Sequence, residues 1–253
     1  MGADILQARL NLEVVLGLLA EVANTDPLFR ERSRTWRETT WFKALGGPEG
    51  WIRFSPDGAS HGIGKPEGVT IGLVLLSAIH LNRMFRNEGL PPVPVKGIGR
   101  LSFLKKEFTE LGTRLQTLTR PGITLRSKEE EHLSTRLMLN AAVRAVPVLA
   151  EEEGTCAKLA AATPEGVLEI ATLDGAFSGW IRKEGGRFTA GLGKPERVTA
   201  RMLFRDLDAA RIVLTGKETG FAAIGLGLTR IEGLIPLVDN VSLIMDRLER
   251  YLA

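Results

Sequence analysis

The chain reads Gly50-Trp51-Ile52-Arg53 and, 129 residues later, Gly179-Trp180-Ile181-Arg182. At the same shift Gly62-Ile63-Gly64-Lys65-Pro66-Glu67 returns as Gly191-Leu192-Gly193-Lys194-Pro195-Glu196, and Val69-Thr70 returns as Val198-Thr199. Further along the match moves to a shift of 130. There Gly97-Ile98 aligns with Gly227-Leu228, and Arg100-Leu101 with Arg230-Ile231. Leu104, Phe108, Leu111, Leu115 and Leu118 then align with Leu234, Val238, Val241, Met245 and Leu248. Blocks recurring in one order point to a tandem duplication. The period is too long for a solenoid, whose units run about 20–50 residues, and each copy is long enough to own a core. The copies are read as residues 1–120 and 129–253, joined near Arg120-Pro121-Gly122, where Pro and Gly stop a helix.

The second copy shows the element pattern most clearly. Leu133, Leu137, Leu139, Val143, Val146 and Leu149 predict a helix over residues 129–153, with a kink at Pro147 and a short helix over 155–162 after it. Strands are expected at 167–173, 176–183 and 187–192, the first two flanking the hairpin signal Asp174-Gly175. A strand at 198–204 leads to Asp206, an N-cap for a helix over 207–214 that Gly216 ends. Residues 221–230 read as the last strand and 232–252 as the final helix. The first copy repeats this order, with a helix over 4–22 and strands at 39–45 and 51–54. A meander cannot be parallel, so the fold class is α+β: two tandem domains, each a five-stranded mixed or antiparallel sheet covered by helices on one face.

Composition narrows the function classes. At 44% hydrophobic and 25% charged residues the chain is an ordinary globular one. Residues 1–126 carry 17 Lys+Arg and 12 Asp+Glu, a net of +5, while residues 127–253 carry 16 and 18. The basic half suits transient contact with an anionic membrane surface. Arg30, Arg32, Arg34 and Arg37 cluster beside Phe29 and Trp36, but Glu31 and Glu38 dilute them, and no nucleic-acid partner is expected. Cys156 is the sole cysteine, so no internal disulfide can form, which fits a reducing, cytoplasmic setting. No signal peptide or membrane-spanning run is read. His61, His80 and His132 are not spaced as metal ligands. Gly225-Leu226-Gly227 is followed next by Gly233, so the dinucleotide fingerprint is absent, and neither Gly-Lys-Pro-Glu turn is a Walker loop. No cofactor, no metal site and no catalytic residue is expected.

The second copy resembles the sterol carrier protein type two family. The resemblance rests on Trp180 in the meander, Gly193, the strand Val198-Thr199-Ala200-Arg201-Met202, and Asp206-Leu207-Asp208. It continues through Leu214-Thr215-Gly216-Lys217 and Gly225-Leu226-Gly227-Leu228-Thr229-Arg230-Ile231-Glu232-Gly233 before the amphipathic helix. It covers most of residues 165–250. The first copy lacks the Thr-Gly-Lys step and reads Phe85-Arg86-Asn87-Glu88-Gly89 there. The resemblance implies an apolar tunnel between sheet and helices that takes sterols, fatty acyl chains, acyl-CoA or isoprenoids, without catalysis. The side chains assigned to it are Met202, Phe204, Phe221, Ile224, Leu226, Leu234, Val238, Val241, Met245 and Leu248. The rival reading is a structural, assembly or accessory module whose apolar faces mediate dimerisation or partner docking, and a homo-oligomer suits either.

Overall fold

A computed structural model describes residues 2–120 and 122–251. The chain divides into two compact units, Met1–Thr124 and Leu125–Ala253. In unit 1, α1 (Gly2–Leu10) and α2 (Leu16–Thr25) are joined by one π-helical turn at Asn11–Val15. Leu6, Leu10, Leu12, Leu16 and Leu19 recur at helical spacing along this segment and are buried. The short α3 (Arg30–Ser33) leads into a meander of β1 (Thr39–Ala44), β2 (Glu49–Ser55) and β3 (Gly58–Ile63). Then come β4 (Ile71–Leu75), α4 (Ala78–Phe85) and β5 (Val93–Lys96). A closing helical run comprises α5 (Leu101–Phe103), a π turn at Leu104–Phe108, and α6 (Thr109–Thr119).

Unit 2 opens with α7 (Lys128–Glu152), which runs through Pro147. Its N-cap Ser127 accepts the Glu130 amide, and Glu129, Glu130 and Glu131 lie at the positive end of the helix dipole. The unit continues with α8 (Gly154–Ala162), β6 (Gly166–Thr172), β7 (Ser178–Glu184) and β8 (Arg187–Leu192). It ends with β9 (Ala200–Phe204), α9 (Leu207–Leu214), α10 (Gly220–Gly225), β10 (Thr229–Gly233) and α11 (Ile235–Asp246).

The two sheets share one topology. Unit 1 runs β3-β2-β1-β4-β5 and unit 2 runs β8-β7-β6-β9-β10. In each, one parallel pair (β1 with β4, β6 with β9) sits in the middle of antiparallel neighbours. Each fold is thus α+β with a five-stranded mixed sheet. Alternate residues of β2 are buried: Gly50, Ile52 and Phe54 face the helices, while Trp51 and Arg53 lie on the other face. The register repeats too. Trp51 stands opposite Gly62, and Trp180 opposite Gly191. Each glycine lets the indole lie flat on the neighbouring strand: a Cβ there would come within 2.8 Å of the Trp51 ring or 2.6 Å of the Trp180 ring.

The last third departs from the sequence reading. Residues 221–230 form no single strand. Thr219 accepts the Ala222 amide and starts α10, and β10 begins only at Thr229. Apolar alternation cannot distinguish a strand from a six-residue capped helix, and the cap decides. The final helix likewise starts at Ile235, not Glu232. The equivalence of Gly97 with Gly227 is also corrected. Gly97 (φ 75°) ends β5 with its Cα against the Thr70 carbonyl, and Gly233 (φ 81°) ends β10 against the Thr199 carbonyl. Thr70 and Thr199 remain 129 apart, but Gly97 and Gly233 are 136 apart, so unit 2 carries seven extra residues in between. Those residues make room for α10.

One buried position is solved differently in the two units. Phe54 of β2 packs edge-on against Trp36 and Phe103, at 5.0 and 5.8 Å between ring centroids. At the shift of 129 unit 2 has Lys183, 7% exposed, which donates to the carbonyls of Ala160 (2.7 Å) and Thr163 at the C-terminal end of α8. A buried ammonium is tolerated here because it meets orphan carbonyls at the negative end of a helix.

Candidate functional site

The residues assigned from sequence fall on β9 (Met202, Phe204), on α10 and its C-cap (Phe221, Ile224, Leu226), and on α11 with its N-cap and the 3-10 turn after it (Leu234, Val238, Val241, Met245, Leu248). β9 and β10 pair so that Phe204 lies opposite Thr229 and Met202 opposite Ile231. These residues are on the helix-covered face, because Met202 also lies beside Ile170, which is fully buried. α11 packs on β9, and α10 packs on β10.

The ten assigned side chains do not form one lining. Phe204, Val238, Val241 and Leu248 are core, at 5% exposure or less. Met202, Leu234 and Met245 are half-buried. Phe221, Ile224 and Leu226 face water, and Phe221 is 92% exposed. The 4,3,4,3 spacing predicted on α11 also missed two buried positions, Leu237 and Ile244. Leu237 and Ile244 precede the expected Val238 and Met245, so the buried face is the predicted one made wider than a 4,3,4,3 seam. A groove of about 320 Å³ runs along Lys105, Lys106, Thr109, Glu110 and Thr113. A notch of about 40 Å³ is lined by Val198, Thr199, Ala200, Arg201, Glu232 and Gly233. Both open to solvent, and neither is the apolar tunnel between sheet and α11 that the resemblance implies.

Two features of this region were not anticipated. Ala223, the buried side chain of α10, clusters with Ala209 of α9 and with Leu228, and Ile212 and Val213 pack against that cluster, so α10 is anchored through one small side chain of its own. The Thr229 hydroxyl, on a residue 8% exposed, has no hydrogen-bond partner among the described residues. An unpaired buried hydroxyl carries a desolvation cost of about 1–3 kcal/mol until something meets it. The Thr219-Gly220 step signalled the cap of α10; nothing in the sequence signalled the orphan hydroxyl.

Ser178 Oγ, Arg136 Nε and Arg247 Nε of unit 2 are also buried without a hydrogen-bond partner among the described residues, while several charged groups of the unit serve structural contacts. Glu153 caps α8 by accepting the Cys156 amide at 2.6 Å, and Arg247 donates to it at 2.7 Å. Burial pushes the Glu153 carboxyl up, but these donors more than offset it and hold it at about 2. The same burial, with Glu153 beside it, pushes the Cys156 thiol up to about 12, so it is not a thiolate at neutral pH. His132 and Lys128 share Asp208 near the starts of α7 and α9, at 3.2 and 2.5 Å. Among the described residues no group of three His, Cys, Asp or Glu is placed to hold a metal ion. Among the described residues no helix is long and apolar enough to cross a membrane.

The Glu153 pair gives a pH prediction. Its folded-state value lies below the usual 4.5, so its stabilisation is present above pH 4.5 and is lost as pH falls toward 2. The loss amounts to about 3 kcal/mol. Chemical denaturation from pH 5 to 2 should show this slope in the wild type, and Arg247→Ala should flatten it.

No family model matches the sequence, and no curated protein does. Among solved structures, the chain is similar to one described as "UbiJ-SCP2 Ubiquinone synthesis protein", at 10% identity and TM-score 0.31, over 40% of this chain and 87% of that one. It is also similar to Sterol Carrier Protein 2 Like 2 from Aedes aegypti, at 15% identity and TM-score 0.28, over 42% and 94%. A third is the stereoselective inverting sec-alkylsulfatase Pisa1 from Pseudomonas sp., at 13% identity and TM-score 0.24, over 57% of this chain and 29% of that one.

Proposed function

We propose that unit 2 is a non-catalytic carrier module for a lipid or other apolar small molecule. The ligand enters beneath α10 and is enclosed against β9, β10 and α11. The observation that carries the reading is α10 itself. It is an insertion without a counterpart in unit 1, and it presents Phe221, Ile224 and Leu226 to water. Three bulky apolar side chains next to one another in solvent have a cost that a bound chain removes, at about 0.8 kcal/mol per CH₂ buried. Gly216 and Gly227, both at φ 68°, bracket the segment: Gly216 follows the end of α9 and Gly227 the end of α10. Ala223 is the buried side chain of α10, so lifting the helix withdraws one methyl group of its own from the cluster with Ala209, Leu228, Ile212 and Val213. The Thr229 hydroxyl would meet one polar group of the ligand, which favours an apolar chain or ring system bearing a hydroxyl or carbonyl.

Titration with a fluorescent long-chain fatty acid tests this. Phe221→Asp should weaken uptake about tenfold or more. Its stability should stay within about 0.5 kcal/mol of wild type, because the ring is already exposed. Unchanged uptake would remove α10 from the site.

One observation favours a second reading, an assembly or accessory module. Leu237, Val238, Val241 and Ile244 fill the α11 interface at 3% exposure or less, so the exposed α10 face would then serve dimerisation or docking. In that case Phe221→Asp would shift the sedimentation coefficient toward that of the monomer and leave fatty-acid binding undetected in both forms.

A further inference from the structure

The sheet face turned away from the helices differs between the units. In unit 2 that face carries Glu169, Glu184 and Glu232 among its arginines, and Arg201 bridges Glu169 (3.0 Å) and Glu232 (3.5 Å). The face is close to neutral. In unit 1 the register places Trp41 where unit 2 has Glu169, and Gly72 where it has Arg201. Trp41 and Trp51 stand opposite each other on β1 and β2. Around them lie Lys43, Arg53 and Lys96, with the Lys65 ammonium 4.9 Å from the Trp41 ring centre. Glu49 is the single acid among the strand positions of that face; it pairs with Lys43 at 3.8 Å and accepts the Trp41 indole N–H, which leaves Arg53, Lys65 and Lys96 in excess. Val93 and Val95 add exposed apolar surface, at 47% and 57%.

We propose that this face of unit 1 docks on an anionic lipid bilayer. Tryptophans among lysines and arginines suit the membrane interface, where the indole sits at headgroup depth and each cation meets lipid phosphate. The geometry disfavours a single-stranded nucleic acid. Base stacking needs a free ring face, yet Trp51 lies on Gly62 with the Arg53 guanidinium 5.2 Å from its ring centre, and Lys65 covers Trp41. Headgroups need only the ring edges and the cations. The proposal stands apart from ligand binding in unit 2.

Co-sedimentation of the full chain with phosphatidylcholine vesicles, with and without phosphatidylserine, tests it. Phosphatidylserine should raise the bound fraction, and added salt should lower it. Lys65→Glu combined with Lys96→Glu, both exposed, should reduce the partition about thirtyfold. Lys105→Glu with Lys106→Glu carries the same charge change on the closing helical run and should stay within about threefold of wild type. The proposal is overturned if phosphatidylserine has no effect or if the two double variants behave alike. It is also overturned if single-stranded oligouridylate, rather than vesicles, shows the dependence on Lys65 and Lys96.

Discussion

Gly233→Ala is expected to destabilise unit 2 by about 3 kcal/mol or more, read as a shift of the denaturation midpoint. Gly233 holds φ 81°, a conformation that costs an L-residue about 1–2 kcal/mol. Its Cβ would also sit 2.2 Å from the Thr199 carbonyl oxygen, which is backbone and cannot swing away. Relieving that clash means moving β10 off β9 or displacing the start of α11, and both belong to the core. Gly97→Ala should act alike in unit 1, where the Thr70 carbonyl would lie 2.1 Å away at φ 75°. A neutral effect at either position would remove the structural equivalence of the two glycines, and with it the assignment of α10 as an insertion.

The second large effect is expected at Phe54. Replacing it with Ala removes a side chain 2% exposed that supports both Trp36 and Phe103. Large-to-small changes of this kind cost about 3–5 kcal/mol, because the surrounding rings cannot collapse into the space. Trp36 sits at 8% exposure, so its fluorescence should move to the red as the cluster loosens, below the wild-type midpoint. A loss under about 1 kcal/mol would mean that the cluster repacks freely and is not the keystone of unit 1.

Much of the fold was legible because local signals and tertiary structure agree. Asp206 capped α9 over Leu207–Leu214 as read, and the meander followed from turn residues and alternation. The repeat blocks located both Trp-on-Gly pairs, which require glycine for contact reasons that sequence preserves. Where legibility failed, the deciding term was not local. Phe221, Ile224 and Leu226 look like strand residues on paper; one Thr219 cap and two positive-φ glycines turn the segment into a helix and then face it to water. The closing third was set in the wrong register, because short Gly-apolar matches at a shift of 130 outscored a single glycine whose role depends on a carbonyl from another strand. The site residues were chosen for apolarity, and apolarity cannot separate Val241 in the core from Phe221 in solvent. The Thr229 hydroxyl was invisible for the same reason, since an orphan is defined by neighbours.

The carrier account is tested most directly by native mass spectrometry of the full chain after incubation with long-chain acyl and isoprenoid lipids. It predicts a one-to-one adduct that Phe221→Asp strongly reduces and Thr229→Val weakens only for ligands with a hydroxyl or carbonyl. A clean unliganded mass with every lipid offered would contradict it.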